Sequence, residues 1–355
     1  MSRLKLIKKA LKKYDIDAFF IKNIFNVRYL TGFSGSAGVV LITKKNNYFI
    51  TDFRYKSQAP LEVDKDFEII IFKQQSDDFL KDYIKSDKLK KIGVESNFIT
   101  VNDFDNLKSK FKKIKFVKVD SLIENIVSVK TPDEIASIKS AVDITDKVFS
   151  NILGILKPGI SEKRVAAEIT YLQKLYGAEK DSFDPIVASG ERSSLPHARP
   201  TDRILKDGDF VTLDFGCSVN GFSSDMTRTV GIGHLTDEQI SVYNTVKDAQ
   251  KMAVDAVKEG KICNQVDAIA RNYIKEKGYG NNFGHGLGHG LGLAVHEIPK
   301  LNPFSEFKLK AGNVVTIEPG IYIENSFGVR IEDDVVVTES GCDILNTSTK
   351  DLIIL

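Results

Sequence analysis

Five side chains stand out because of the company they keep. Asp214, Asp225, His289, Glu318 and Glu332 each lie in an apolar or glycine-rich stretch, reading LDFG, GFSSDMTRT, HGLGHGLG, TIEPG and GVRIED in turn. Acidic side chains rarely leave water unless they pair with a cation or hold a metal. Four carboxylates and one imidazole suit hard or borderline divalent ions, and bridging carboxylates would hold two such ions roughly 3.5–4 Å apart. The chemistry predicted is hydrolysis at a dinuclear metal centre. His285 and His296 share the segment NFGHGLGHGLGLAVHEIPK with His289, and His197 lies in LPHARPTD. Glycines beside a histidine let backbone and substrate approach closely. With His289 as nitrogen ligand, the other three remain as donors to polarise a carbonyl, steady an oxyanion and manage the leaving-group proton. The fifth histidine, His234 in GIGHLTDE, is given no role.

The elements that must position these groups are written twice in the chain. LKDGDFVTLDFG from Leu205 matches LKAGNVVTIEPG from Leu309, so that Asp214 falls on Glu318. With a small change of offset, Gly221 and Asp225 align with Gly328 and Glu332. Upstream, KPGISEKRVAAEITYLQKLYG from Lys157 echoes KEGKICNQVDAIARNYIKEKG from Lys258. Each copy reads as a helical stretch followed by a β-hairpin that delivers two acids, and a pseudo-twofold axis would bring the two pairs together. Thr131, Pro132 and Glu134 form a capping box that opens a long helix, and Thr236 with Gln239 repeats the signal. The segment SGERSSLPHARPTD, residues 189–202, reads as a functional loop. Before residue 130, the runs AFFI, GVVLI, YFI, EIIIF and IGV alternate with helical stretches and predict a smaller α/β domain.

Length and charge fit an ordinary enzyme. The chain has 355 residues, with 50 basic against 48 acidic side chains, which usually means two domains and gives no global reason for nucleic-acid or membrane binding. The lysine clusters LIKKALKKY and KSKFKKIKFVK read as solvated faces of helices and strand edges. SRLKLIKKALKKY carries one apolar stripe, Leu4, Ile7, Ala10 and Leu11, and is too short and too charged for a signal-peptide core. No run is long enough to cross a bilayer, so the expected location is cytoplasmic. Cys217, Cys263 and Cys342 form no close-spaced pair and are expected to be reduced packing residues.

The order LPHARPTD, LDFGCSVNGFSSDMTRT, GHGLGHGLGLAVHE, TIEPGIY and GVRIEDD resembles, over the full chain, the metallopeptidase family that contains Xaa-Pro aminopeptidases and prolidases. NVRYLTGFSGSAG from Asn26 and ITDFRYKSQA from Ile50 are similar to the non-catalytic domain of its proline-specific members. The resemblance implies an α/β (α+β) protein. Residues 1–128 would be a creatinase/prolidase-like N-terminal domain, and residues 129–355 a pita-bread catalytic domain with an antiparallel sheet and flanking helices. It implies two divalent ions per subunit, manganese foremost with cobalt or zinc as alternatives, on Asp214, Asp225, His289, Glu318 and Glu332. His197, His285 and His296 would be the catalytic histidines, Glu318 the proton carrier and Arg330 the residue that orients site groups. In several microbial prolidases an arginine follows the VHE motif near the place of Lys300, which here would bind the proline carboxylate of a dipeptide. The expected substrates are short peptides with proline second. Cleavage as an Xaa-Pro aminopeptidase is the first expectation, Xaa-Pro dipeptidase the alternative, and a catalytically inactive pita-bread binding module the reading of another class. Relatives of this kind are commonly homodimers, and the same is expected here.

Overall fold

The computed structural model describes residues 2–72 and 77–355, and the chain divides into two units, Met1–Val127 and Ser128–Leu355. In the first, six strands form one sheet in the order Glu68–Phe72, Asn47–Asp52, Val39–Thr43, Ala18–Ile21, Lys91–Glu95, Lys115–Val119. The hairpin Val39–Thr43/Asn47–Asp52 is antiparallel, and so is its pairing to Ala18–Ile21. The remaining pairs are parallel. All four residues of AFFI are buried, the signature of a central strand covered on both faces. Helix Arg3–Lys13 buries Ile7, Ala10 and Leu11 and leaves most of its lysines to solvent. The second lysine cluster ends in the edge strand Lys115–Val119, where Phe116 and Val119 are buried and Lys115 and Lys118 are exposed. Charged outward residues on an edge discourage pairing with another chain.

The second unit carries the repeat. Its first copy has helices Pro132–Leu153 and Glu162–Leu175, then the antiparallel hairpin Phe210–Phe215/Met226–Gly231 with Ile186–Ser189 alongside. Its second copy has helices Asp237–Ala256 and Cys263–Glu276, then Val314–Ile317/Asp333–Val337. That hairpin is extended into a five-stranded antiparallel sheet by Glu297–Leu301, Gly288–Gly290 and Cys342–Ile344. Each hairpin is interrupted by a smaller one, Cys217–Val219/Phe222–Ser223 in the first copy and Gly320–Ile323/Phe327–Arg330 in the second. Thr131 and Thr236 both form complete capping boxes, with Glu134 and Gln239 reaching back to their backbone N–H groups.

Two cores follow the same scheme. Val148, Phe149, Ile152, Val165 and Ile169 of the first helix pair pack on Val211, Leu213 and Phe215. Val242, Val246, Ala249, Val266 and Ala270 of the second pack with Val315, Ile317 and Val335. Side chains alternate across a strand, so burial of Leu213 and Phe215 against the helices turns Asp214 to the opposite face. Cys217, Cys263 and Cys342 are free thiols, the first two buried. Among the described residues no helix is long and apolar enough to cross a membrane.

Candidate metal centre

Hairpin geometry delivers the four acids in pairs. Asp214 lies in the first hairpin opposite Thr227, and Asp225 immediately precedes its return strand. Glu318 immediately follows Val314–Ile317, and Glu332 immediately precedes Asp333–Val337. His289 sits at the middle of Gly288–Gly290, where a β-bulge follows it. A Cβ on Gly288 would lie 2.0 Å from the Thr316 carbonyl oxygen, and one on Gly290 would lie 2.3 Å from that of Ile298. Only glycine lets the three strands close around the histidine.

The acids and His289 converge. Ligand atoms of Asp225, His289 and Glu332 all lie within 4.8 Å of one another. His289 Nε2 is 3.6 Å from Asp225 Oδ2 and 3.4 Å from Glu318 Oε1. Its Nδ1 faces the Gly290 carbonyl at 3.1 Å, which assigns the proton to Nδ1 and leaves the Nε2 lone pair toward the acids. Burial, with His296 close by, pushes the His289 pKa down to about 4, so its ring is neutral at pH 7. Burial and the mutual repulsion of the acids raise Asp225 and Glu332 well above the usual carboxylate range. Burial pushes Glu318 up to about 8, against the opposing pull of Arg330.

These residues fit divalent cations. Arg330 engages Asp214 Oδ2, while the buried Oδ1 of Asp214 has no hydrogen-bond partner. The Thr227 hydroxyl donates to Glu332 Oε2 at 2.7 Å, and the buried Glu332 Oε1 likewise has none. Buried acceptors left open beside a lone imidazole nitrogen are what a hard cation would satisfy. Loaded with cations, the acids would be held ionised instead of sharing protons. Asp334, itself buried, accepts from the Asp225 backbone N–H at 3.0 Å and fixes that turn.

The remaining candidates line the same cavity of about 510 Å³, together with all five ligand-type residues. His285 Nδ1 is 2.7 Å from the Gly286 carbonyl and Nε2 is 3.0 Å from Tyr322 Oη. Arg330 Nη1 donates to that Tyr322 oxygen at 2.8 Å. The network therefore runs from Arg330 to Tyr322 to a His285 protonated on Nδ1, and burial pushes the His285 pKa down to about 4. The His296 ring packs edge-on against His289, with centroids 4.3 Å apart. Its pKa is lowered by burial and by nearby Lys300. Lys300 is an exposed residue on Glu297–Leu301, in register with His289. His197 lies exposed in the loop after Ile186–Ser189, whose Pro196 carbonyl accepts from Arg330 Nη1 at 3.2 Å. His234 is not among the lining residues.

Tyr322, Thr227, Thr316 and Asp334 join the site without having been marked by the sequence pattern. Thr316 Oγ1 donates to Glu318 Oε1 at 3.2 Å and accepts from the His289 backbone N–H at 3.1 Å. Each missed residue stands within four positions of a predicted ligand. Their polar character amid apolar strands was the available signal.

A pseudo-symmetric pair of hairpins presenting four acids and a histidine defines a pita-bread metallohydrolase. Residues 136–339 match the model of metallopeptidase family M24, and residues 3–126 match the Creatinase/Prolidase N-terminal domain. The chain is 36% identical over 353 residues to the Xaa-Pro dipeptidase of Pyrococcus furiosus, covering 99% of both. A solved Xaa-Pro dipeptidase from Bacillus anthracis is 41% identical, with a TM-score of 0.95 and 99% of each chain covered. The X-Pro aminopeptidase of Thermotoga maritima is 38% identical, with a TM-score of 0.89, covering 98% of this chain and 100% of that one. This chain belongs to metallopeptidase family M24, in the form that carries a Creatinase/Prolidase N-terminal domain, and it is a hydrolase that uses divalent metal.

Proposed function

We propose that this enzyme is an Xaa-Pro dipeptidase, a prolidase. The observation that carries the reading is Lys300, a cation on the cavity wall beside His296, in register with His289. A dipeptide's proline carboxylate needs such a partner, whereas a longer peptide has no charge at that place. The relatives named Xaa-Pro dipeptidase support this over the aminopeptidase that was the first expectation. The aminopeptidase remains the second reading, supported by the likeness to the Thermotoga maritima enzyme. Lysine supplies charge without arginine's bidentate fork, which predicts looser selection for dipeptides.

In this reading Asp214, Asp225, His289, Glu318 and Glu332 hold two divalent ions, manganese foremost and cobalt or zinc otherwise. Ions bound there would supply Lewis acidity and make water nucleophilic near neutral pH. Glu318 is the most exposed of the four acids, with 18% of its side chain exposed against 11% for Asp214 and 6% for Asp225, and Glu332 is buried. It is therefore the acid best placed to take a proton from the attacking water and deliver it to the proline nitrogen. A prolyl bond is a tertiary amide, so its nitrogen must gain that proton to leave. His197 and His296 donate to the carbonyl oxygen as negative charge develops. His285 and Tyr322 wall the space for the proline ring, and Arg330 holds Tyr322 and Asp214 in place. Every ligand position is filled, which speaks against an inactive binding module. A cytoplasmic homodimer completes the proposal, and light scattering of the purified chain tests the dimer.

The experiment is hydrolysis of Ala-Pro and Ala-Pro-Ala by chelator-stripped protein reloaded with manganese, and separately with cobalt. Preferred cleavage of Ala-Pro, with the Ala-Pro KM raised about tenfold or more by Lys300→Ala, is the expected result. Preferred release of alanine from Ala-Pro-Ala would make it an aminopeptidase and Lys300 a surface lysine.

A further inference from the structure

Glu162 opens the helix Glu162–Leu175, and its residue is fully buried, at 0% exposure. It touches no residue of the predicted metal set, yet its carboxylate accepts five hydrogen bonds. Oε1 takes the Ser189 backbone N–H and hydroxyl, each at 2.8 Å. Oε2 takes the Thr201 N–H at 2.9 Å, the Thr201 hydroxyl at 2.8 Å and Arg192 Nε at 3.1 Å. Ser189 and Thr201 are the two ends of the loop that carries His197. Arg192 then crosses the loop to donate to the Arg199 carbonyl at 2.6 Å. The segment is thus tied at its start, at its end and across its middle through one carboxylate.

A side chain needed only to seat the helix could be apolar, since burying a carboxylate costs more than its hydrogen bonds return unless all are made. Here every donor comes from one loop, and the face that loop turns to the cavity bears His197. We propose that Glu162 is a positioning residue for catalysis, which closes the 189–201 loop so that His197 stands at the substrate's carbonyl oxygen. The inference rests on the role given above to His197. Glu162 itself touches no substrate.

Glu162→Gln keeps the shape but sets an NH2 group against N–H donors at one end of the loop. In zinc-loaded protein, the His197 ring 1H–13C correlation, identified by its loss in His197→Ala, is expected to shift or broaden, while that of His234 stays put. On Ala-Pro, kcat is expected to fall about tenfold to hundredfold with metal content unchanged, and His197→Ala is expected to cost much less in the Glu162→Gln background than in wild type. Lys163→Ala, which breaks only an exposed pair with Asp202 at 2.8 Å, should leave resonance and rate unchanged. Should Glu162→Gln fail to fold, Thr201→Val removes one of the five bonds and is expected to move the same resonance less. An unmoved His197 resonance, or an equal cost of His197→Ala in both backgrounds, overturns the proposal. If wild type does not cleave Ala-Pro, the prolidase reading fails, and the resonance alone still decides whether Glu162 orders the loop.

Discussion

At the scale of single residues, the site rests on acids that have one oxygen committed to the scaffold and another left open. Asp214 is tied to Arg330 and Glu332 to Thr227, and each keeps a buried oxygen without a partner. Asp225→Asn, or His289→Ala, should leave a folded protein with activity down about 10³-fold or more. Circular dichroism and turnover with added metal check this, and retained turnover would remove either residue from the ligand set. His285 yields a pH prediction. Its folded pKa of about 4 lies below the 6.5 of an unconstrained histidine, so the unfolded chain takes up the proton first on acidification. His285 therefore supports the fold above pH 6.5, and that support is lost progressively as pH falls toward 4. Between pH 7 and 5 wild type should lose about 2 kcal/mol more than His285→Asn, by urea titration of metal-free protein. Equal losses in the two proteins would mean that His285 is not held neutral.

At the scale of elements, helices steer the segments that bear the histidines. On Cys263–Glu276, Arg271 pairs with Asp267 and donates to the carbonyls of Phe283, at 2.9 Å, and His285, at 2.7 Å. Asp267 accepts in turn from the Leu287 N–H at 3.1 Å. One pair of side chains thereby sets the path of residues 283–287 on the way to His289. Arg271→Ala should cost about 2–4 kcal/mol of stability, because Asp267 is left buried without its cation. It should also lower kcat/KM on Ala-Pro at full metal loading. Normal kinetics in the stable fraction would confine Arg271 to a structural role. The first copy steers its loop from a different position, since Glu162, which aligns with Cys263 at the helix start, holds the His197 loop instead.

For the whole molecule, the two units carry different cores, and the proposed ligand set belongs entirely to Ser128–Leu355. Metal held by the proposed ligands would bind the folded form of that unit alone and stabilise it by mass action. Chelation should therefore lower the calorimetric transition of the catalytic unit by several degrees and leave any separate transition of Met1–Val127 where it was. A uniform shift of one joint transition would show that the units unfold together. Loading with manganese, cobalt or zinc in turn, and counting bound ions per chain, decides the metal and its number.

The duplicated plan, the helix starts at Thr131 and Thr236 and the anomalous acids are all legible in the amino-acid order. These are local or periodic signals: a capping box lies within four residues, and a repeat announces itself by matching letters. Eight residues chosen from such signals, with Lys300 and Arg330 that the family resemblance implied, line one cavity. What holds them became visible in the folded chain. Tyr322 reaches His285 and Arg330, Asp334 fixes the Asp225 turn, and Glu162 ties a loop up to 39 residues away. Each is a single polar side chain whose partners are distant in sequence, and no spacing rule encodes a contact made by strand register and packing across a sheet.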